Sequence, residues 1–295
     1  MKGLPDHSAT PVTPATPATP ATTATQPATV STVSFVGAGP GAADLITLRG
    51  AQRLRAAQVV LFDALTDPAL RQLAPRALWV DVGKRGFDRA TGQATINALL
   101  LRYARSHQRV VRLKGGDPSV FGRLEEELQA LASAGVRCEV VPGVTAALAA
   151  AADSQRPLTR RGNGRSVSLT TAMTADGTLS ACRHADTEVF YMAGRQLGAL
   201  GRRLRAAGWA HDTPVCVVSR AGWPDSLVSS HALVDLGQAA LLHAGRPTAV
   251  TVGAGARAVV PAGSPAVLAP AMLRPTHDVP SVLPTALTGA GHVAP

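Results

Sequence analysis

The chain is 295 residues long, 46% hydrophobic and 16% charged, with aromatics at 3%. At roughly 150 residues per domain this length suits two domains, and the apolar share excludes a chain disordered throughout. Much of that share is Ala and Val, so the core is expected to be assembled from many small aliphatic contacts. Charged, Gly or Pro residues interrupt every apolar run before the roughly 18–20 residues of a membrane-crossing helix, which points to a soluble protein. Lys plus Arg number 29 against 19 Asp plus Glu, a net charge of +10, and only Lys2, Lys84 and Lys114 among the cations are not Arg. Arg carries a planar donor fork suited to carboxylate and phosphate, so an anionic partner is expected: a nucleic acid, a nucleotide or a polycarboxylate. Cys138, Cys182 and Cys216 are far apart with no CxxC pair. Neither a disulfide framework nor a metal site is expected, and a reducing cytosol fits.

Residues 1–31 hold the Pro/Thr/Ala tract PVTPATPATPATTATQPAT, which has too few large apolar side chains and no helical period. It is expected to be a disordered tail. It does not read as a secretory signal, because Pro recurs where an apolar block of about 7–15 residues is needed. Residues 257–295 have the same Pro/Ala character and are expected to form a second free tail. The two ends carry Lys2, Asp6, Arg257, Arg274 and Asp278, a balance of +1, so +9 of the +10 belongs to the body between them.

From Thr32 onward, short β-branched runs alternate with helical periods. TVSFVG is followed by a helix carrying Leu45, Leu48 and Leu54, then by VVLF at 59–62, a β-α-β start. Ile96, Leu99, Leu100 and Tyr103 follow the i, i+3, i+4, i+7 spacing before the strand RVVRL at 109–113; Leu124, Leu128 and Leu131 share a helical face before the strand at 136–141. This alternation predicts a mainly parallel α/β sheet. After a PGV turn at 142–144 and an Ala-rich helix over 145–152, a second series follows: SVSLTT, EVFYM, a helix with Leu197, Leu200 and Leu204, PVCVV, SLVSS and TAVTVG. Its shorter helices and denser strands predict a mixed sheet. The fold class is thus α/β in two domains, 32–142 and 143–256.

Three loops end strands and precede helices. VGAGPG at 36–41 lets backbone approach a ligand at the carboxyl end of the first strand, where open α/β sheets bind. Pro40 and the absent third glycine exclude a GxGxxG dinucleotide fingerprint. LKGGDP at 113–118 offers Gly115 and Gly116 for close contact and Asp117 as an acceptor for ribose hydroxyls or amines, before a helix expected near Phe121. VVPGVTA at 140–146 places Thr145 and a helix start in a similar position. Asp63, ending VVLFD, reads as a ribose acceptor, a general base or a helix cap.

These segments, together with VGKRG at 82–86, VVRLKGGDPSVFGR at 110–123, EVVPGVTAALAAAA at 139–152, RPLTRR at 156–161 and VFYM at 189–192, resemble the uroporphyrinogen-III C-methyltransferases, within the S-adenosylmethionine-dependent tetrapyrrole methylases. The resemblance runs from about residue 32 to 253. It implies two α/β domains, a cytoplasmic homodimer, and S-adenosyl-L-methionine held in the cleft between the domains. The implied reaction methylates two ring carbons of uroporphyrinogen III, a tetrapyrrole, to give precorrin-2 for siroheme or cobalamin synthesis. By motif position it implies that Pro40, Gly115, Gly116, Asp117, Val120, Thr145, Ala146, Met192 and Ala221 bind the methyl donor, with Asp63 as proton acceptor and Lys84 as proton donor. The substrate bears many carboxylates, and Arg112, Arg123, Arg160 and Arg161 are the candidate clamps. Neither nucleic acid nor a membrane is an expected partner: no basic run interleaved with aromatics offers a base-stacking platform. The chain departs from the resemblance at FGRLEEE, where Leu124 and Glu125 replace two glycines, at Ser119, and at SQRPLTRR, where Arg160 replaces His. These departures keep open another substrate, as in a methyltransferase of the precorrin-4 type, or a homologue that binds the donor without turnover.

Overall fold

The computed structural model describes residues 31–83, 92–172, 181 and 183–259. The expectations for residues 1–30, for the tail from residue 260 and for Lys84 lie outside the described residues. The first layer comprises β1 (Thr32–Gly37), α1 (Leu48–Arg55), β2 (Val59–Phe62), β3 (Leu78–Asp81), α2 (Gln93–Ser106), β4 (Arg109–Lys114), α3 (Leu124–Ser133) and β5 (Arg137–Val141). All its strands are parallel, in the order β3-β2-β4-β1-β5. Because β1 lies beside β4, the loops that leave their carboxyl ends, GAGPG and GGDP, emerge side by side. That is the place where an open parallel sheet takes its ligand.

The burial explains why these strands read as unbroken apolar runs. Val33 to Gly37 are all buried, since helices cover both faces of a parallel sheet. Val36, Val60, Val111 and Leu113 face α1 through Ala51 and Leu54, whereas Val33, Phe35, Val59, Leu61 and Val110 face α2 and α3 through Ile96, Leu100 and Leu131. The helix expected near Phe121 starts instead at Leu124. Phe121 and Arg123 take left-handed φ values of 51° and 52°, so the VFGR segment is a tight turn. A Cβ on Gly122 would stand 2.5 Å from the Pro118 carbonyl, which closes that turn to other residues. Three glutamates then fill the first turn of α3, where the helix dipole favours negative charge.

The second layer comprises α4 (Ala146–Asp153), β6 (Val167–Thr171), β7 (Thr187–Tyr191), α5 (Leu197–Ala206), β8 (Pro214–Ser219), β9 (Leu227–Ala232), α6 (Ala239–Leu242) and β10 (Thr248–Gly253). Its sheet runs β6-β7-β10-β8-β9; β6 and β7 are parallel and the other pairs antiparallel. One face buries Phe190, Val217 and Val250 against Leu197, Leu200 and Leu204 of α5. The other packs Ala149 and Ala150 of α4 against Cys216, Val218 and Ala249. The Ala-rich sequence of α4 thus lets a helix lie close on a sheet of small residues. No described helix is long and apolar enough to cross a membrane.

Candidate active site

Glycine brings the three strand-end loops into backbone contact. A Cβ on Gly143 would lie 2.3 Å from the Gly116 carbonyl oxygen, and one on Gly37 would lie 2.6 Å from Gly143 Cα. Gly116 pairs with Gly39 in both directions, its N–H donating to the Gly39 carbonyl at 2.7 Å and its own carbonyl accepting from Gly39 N–H. Asp117 is tied into the same architecture: one carboxylate oxygen accepts from Ser119 N–H and the other from Gly143 N–H at 2.8 Å. Its carboxylate locks the GGDP loop to the PGV loop and keeps further acceptor capacity on each oxygen. Beyond these loops opens a cavity of about 320 Å³ between the two sheets. Pro40, Gly115, Gly116, Asp117, Val120, Thr145, Ala146, Met192 and Ala221 all line it. At Gly116, with φ +69°, a Cβ would meet no atom closer than 3.9 Å. That space is open for a ligand to fill.

The second layer supplies the far wall. Tyr191, at the end of β7, takes the Ala147 N–H on its hydroxyl at 3.2 Å and lies 2.7 Å from Thr145 Oγ1, so it caps the start of α4. Phe121 packs on the Tyr191 ring at 5.0 Å. Trp223 Nε1 donates to the Pro40 carbonyl at 3.1 Å, and Ala42 N–H donates to the Gly222 carbonyl. Asp153, at the end of α4, holds that same loop through Gly222 N–H and the Ser226 hydroxyl. Phe121, Met192 and Arg220 all line the cavity with left-handed φ values of 51°, 58° and 52°. Such backbone in non-glycine residues collects at ligand sites, where surrounding contacts enforce it.

Asp63 stands where β2 ends, next to the cavity-lining Ala64 and Leu65. Its carboxylate is partly exposed and accepts from Arg112 Nη2 at 2.7 Å. Arg112 in turn donates through Nε to Glu127, whose other oxygen takes Lys114 Nζ at 2.9 Å. Arg112, Lys114 and Glu127 are almost wholly buried, and the four charges cancel. Burial pushes the Lys114 ammonium below its usual range and the Arg112 charge adds to that, while Glu127 and Asp63 oppose it.

The residues match the Tetrapyrrole (Corrin/Porphyrin) Methylases over positions 32–253. The chain belongs to the tetrapyrrole methylase family. It is 45% identical over 190 residues to a uroporphyrinogen-III C-methyltransferase of Pseudomonas aeruginosa, covering 63% of this chain and 78% of that one. It is 46% identical over 188 residues to a siroheme synthase of Edwardsiella ictaluri, of which the match spans only 41%. The chain thus corresponds to under half the length of that relative. Among solved structures, it superimposes with a TM-score of 0.67 and 36% identity on a uroporphyrin-III C-methyltransferase of Thermus thermophilus complexed with S-adenosylhomocysteine, covering 76% of this chain and 97% of that one. A cobalt precorrin-4 methyltransferase of cobalamin biosynthesis also gives 0.67, at 29% identity, with 77% and 96% covered.

In this tetrapyrrole methylase the four candidate arginine clamps separate. Arg112 is a correction: its buried guanidinium donates to Asp63, Glu127 and the Leu113 carbonyl, so it cannot reach out to a substrate. Neither Arg160 nor Arg161 lines the donor cavity, and both stay candidates for the substrate's carboxylates. Arg160 bonds the Arg257 carbonyl, beyond the Gly253 end of β10, whereas the cavity lies at the Thr248 end. The strand puts roughly 15–20 Å between those ends. Arg123 stays next to the cleft, exposed, with its fork on Glu126 at 2.7 and 2.8 Å. Among the described residues no group of three or more His, Cys, Asp or Glu is placed to hold a metal ion. Sequence reading missed Tyr191, Arg220 and Trp223. Tyr191 immediately precedes Met192, and Arg220 and Trp223 flank Ala221, so neighbours of motif residues were the available signal.

Proposed function

We infer that this chain transfers two methyl groups from S-adenosyl-L-methionine to ring carbons of uroporphyrinogen III, yielding precorrin-2. The observation that carries the reading is the convergence of nine resemblance-derived donor positions, from five separate stretches of chain, on one cavity. Its volume suits a small-molecule site. The residues fit the donor: Ala146, Ala221 and Ala249 leave room for a flat ring and a sulfonium, and Gly116 leaves a cradle that a Cβ would fill. When bound, S-adenosylmethionine supplies a methyl group already activated on a sulfonium. The protein's task is then to align a nucleophilic ring carbon with that methyl and to manage charge. Methylation of a neutral ring carbon leaves one positive charge until a proton departs. In this reading Asp63, held by Arg112 beside the cleft, accepts that proton; its partly exposed carboxylate supports the role. Arg123 and the positive body draw the substrate's carboxylates towards the opening. Lys84 is retained as the proton donor on the resemblance alone.

We take 32–142 and 143–256 as the two domains, and the enzyme as a cytoplasmic homodimer bound to neither nucleic acid nor membrane. Light scattering on the purified chain tests the dimer. The activity is tested by anaerobic incubation with S-adenosylmethionine and either uroporphyrinogen III or precorrin-4, followed by mass spectrometry. Dimethylated product from uroporphyrinogen III is expected. Methylation of precorrin-4 alone, or donor binding without any product, would overturn the reading.

A further inference from the structure

We propose that Arg220 is a carboxylate-reading residue of the cleft, taking a carboxylate from the ligand that occupies it. The proposal rests on the cavity being the methyl-transfer site. Arg220 is the one cationic side chain lining the cavity among the described residues. The anionic one there, Asp117, has each oxygen turned to a backbone amide, so it offers little opposition to an incoming anion.

The guanidinium is held ready on two sides. One face stacks on the Trp223 ring, with 4.4 Å to the centroid, and that ring is anchored through its N–H to the Pro40 carbonyl. Nε donates to Asp225 at 2.8 Å. Asp225 is shared with Arg246, so two cations face one carboxylate and the group keeps a charge of +1. Neither terminal amino group of Arg220 has an acceptor among the described residues. Arg246 is fixed in turn through its Nε to Ser219. The left-handed backbone at Arg220 is a further sign that its position is imposed. A planar fork with one edge anchored and its terminal nitrogens unsatisfied matches a carboxylate better than any neutral group.

Two ligands of this site carry carboxylates: the methionyl end of the donor and the acidic side chains of the tetrapyrrole. The experiment separates them with Arg220→Gln, and with Arg220→Lys, which keeps the charge but not the fork. Calorimetric titration compares S-adenosylmethionine with its decarboxylated form, without tetrapyrrole. If the donor is the source, Arg220→Gln loses about ten- to a hundredfold affinity for S-adenosylmethionine and little for the decarboxylated form, with partial recovery in Arg220→Lys. If the tetrapyrrole is the source, both titrations match wild type and the KM for uroporphyrinogen III rises about tenfold or more at nearly constant kcat. Unchanged donor affinities together with unchanged KM would overturn the proposal, as would equal losses for both donor forms. The binding arm reads out without turnover, so a wild-type chain that binds the donor but methylates nothing would overturn the proposed reaction and leave the Arg220 comparison intact.

Discussion

The two walls of the cleft solve the same problem with different chemistry. Under the first sheet, Asp63, Arg112, Glu127 and Lys114 form a chain of paired charges, three of them sealed from water. Under the second, buried polarity is carried by a relay from Arg246 Nε to Ser219, His243, Ser229 and His231, with steps of 2.7–2.9 Å. One consistent arrangement has Ser219 accepting from Arg246 and donating to His243 Nδ1, His243 Nε2–H donating to Ser229, and Ser229 donating to His231, with the opposite sense from Ser219 onward set by the other tautomers. Burial holds the His243 imidazole below its ordinary range, and the charges of His231 and Arg246 add to that. The first cluster presents a fixed carboxylate to the cleft, which suits proton transfer. The second braces a cation, which suits binding. Losing one partner therefore hurts more on the first wall, because it strands a buried charge.

Five changes can break or sharpen that contrast. Glu127→Ala leaves Arg112 and Lys114 buried without their shared anion; urea denaturation is expected to show a loss of about 3–5 kcal/mol. A loss within 1 kcal/mol of zero would mean that water reaches the cluster. Asp63→Ala is expected to lower kcat by about a hundredfold or more with donor affinity nearly kept, and wild-type turnover would remove Asp63 from the mechanism. Gly116→Val puts a branched side chain at φ +69° and into the donor cradle, so S-adenosylhomocysteine should bind at least tenfold more weakly by calorimetry; equal affinity contradicts the placement of the donor.

The smaller effects come from His243 on the second wall and from Arg123 at the surface of the first. The unfolded chain takes up a proton at His243 near its ordinary value of 6.5, and the folded chain only at lower pH. Stability should therefore fall as pH drops below about 6.5 and level off once the folded imidazole also protonates. Comparing melting curves of wild type and His243→Gln between neutral and mildly acidic pH checks this: the variant should lack that component, and an identical pH slope would refute it. Arg123→Gln removes an exposed i,i+3 pair, and a change in stability of no more than about 0.5 kcal/mol is expected. A larger change would show that Arg123 supports the turn after Phe121.

The sequence was most legible where burial is complete on both sides. The strands around Val36, Leu61 and Val111 read as unbroken apolar runs because helices cover each face. The short edge strand β3 escaped notice, since LWVD is only partly buried and borders the sheet. The start of α3 was misplaced because helical spacing says nothing of the left-handed turn at Phe121 and Arg123. The donor-lining residues were legible as motifs, but their backbone and side-chain commitments were not. Asp117 both lines the cavity and ties two loops together, whereas the fold spends Arg112 on holding neighbouring charges in place. A charged residue inside the buried run RVVRL was the clue that Arg112 needed an internal partner. Arg220 was overlooked because charge in a flanking loop carries no period.

The most direct test of the central claim is an anaerobic incubation of the purified chain with uroporphyrinogen III and S-adenosylmethionine labelled in its methyl group, read by mass spectrometry of the tetrapyrrole. Two labelled methyl groups on the product are predicted. A tetrapyrrole that stays unlabelled, while the same preparation binds S-adenosylhomocysteine, would contradict the account.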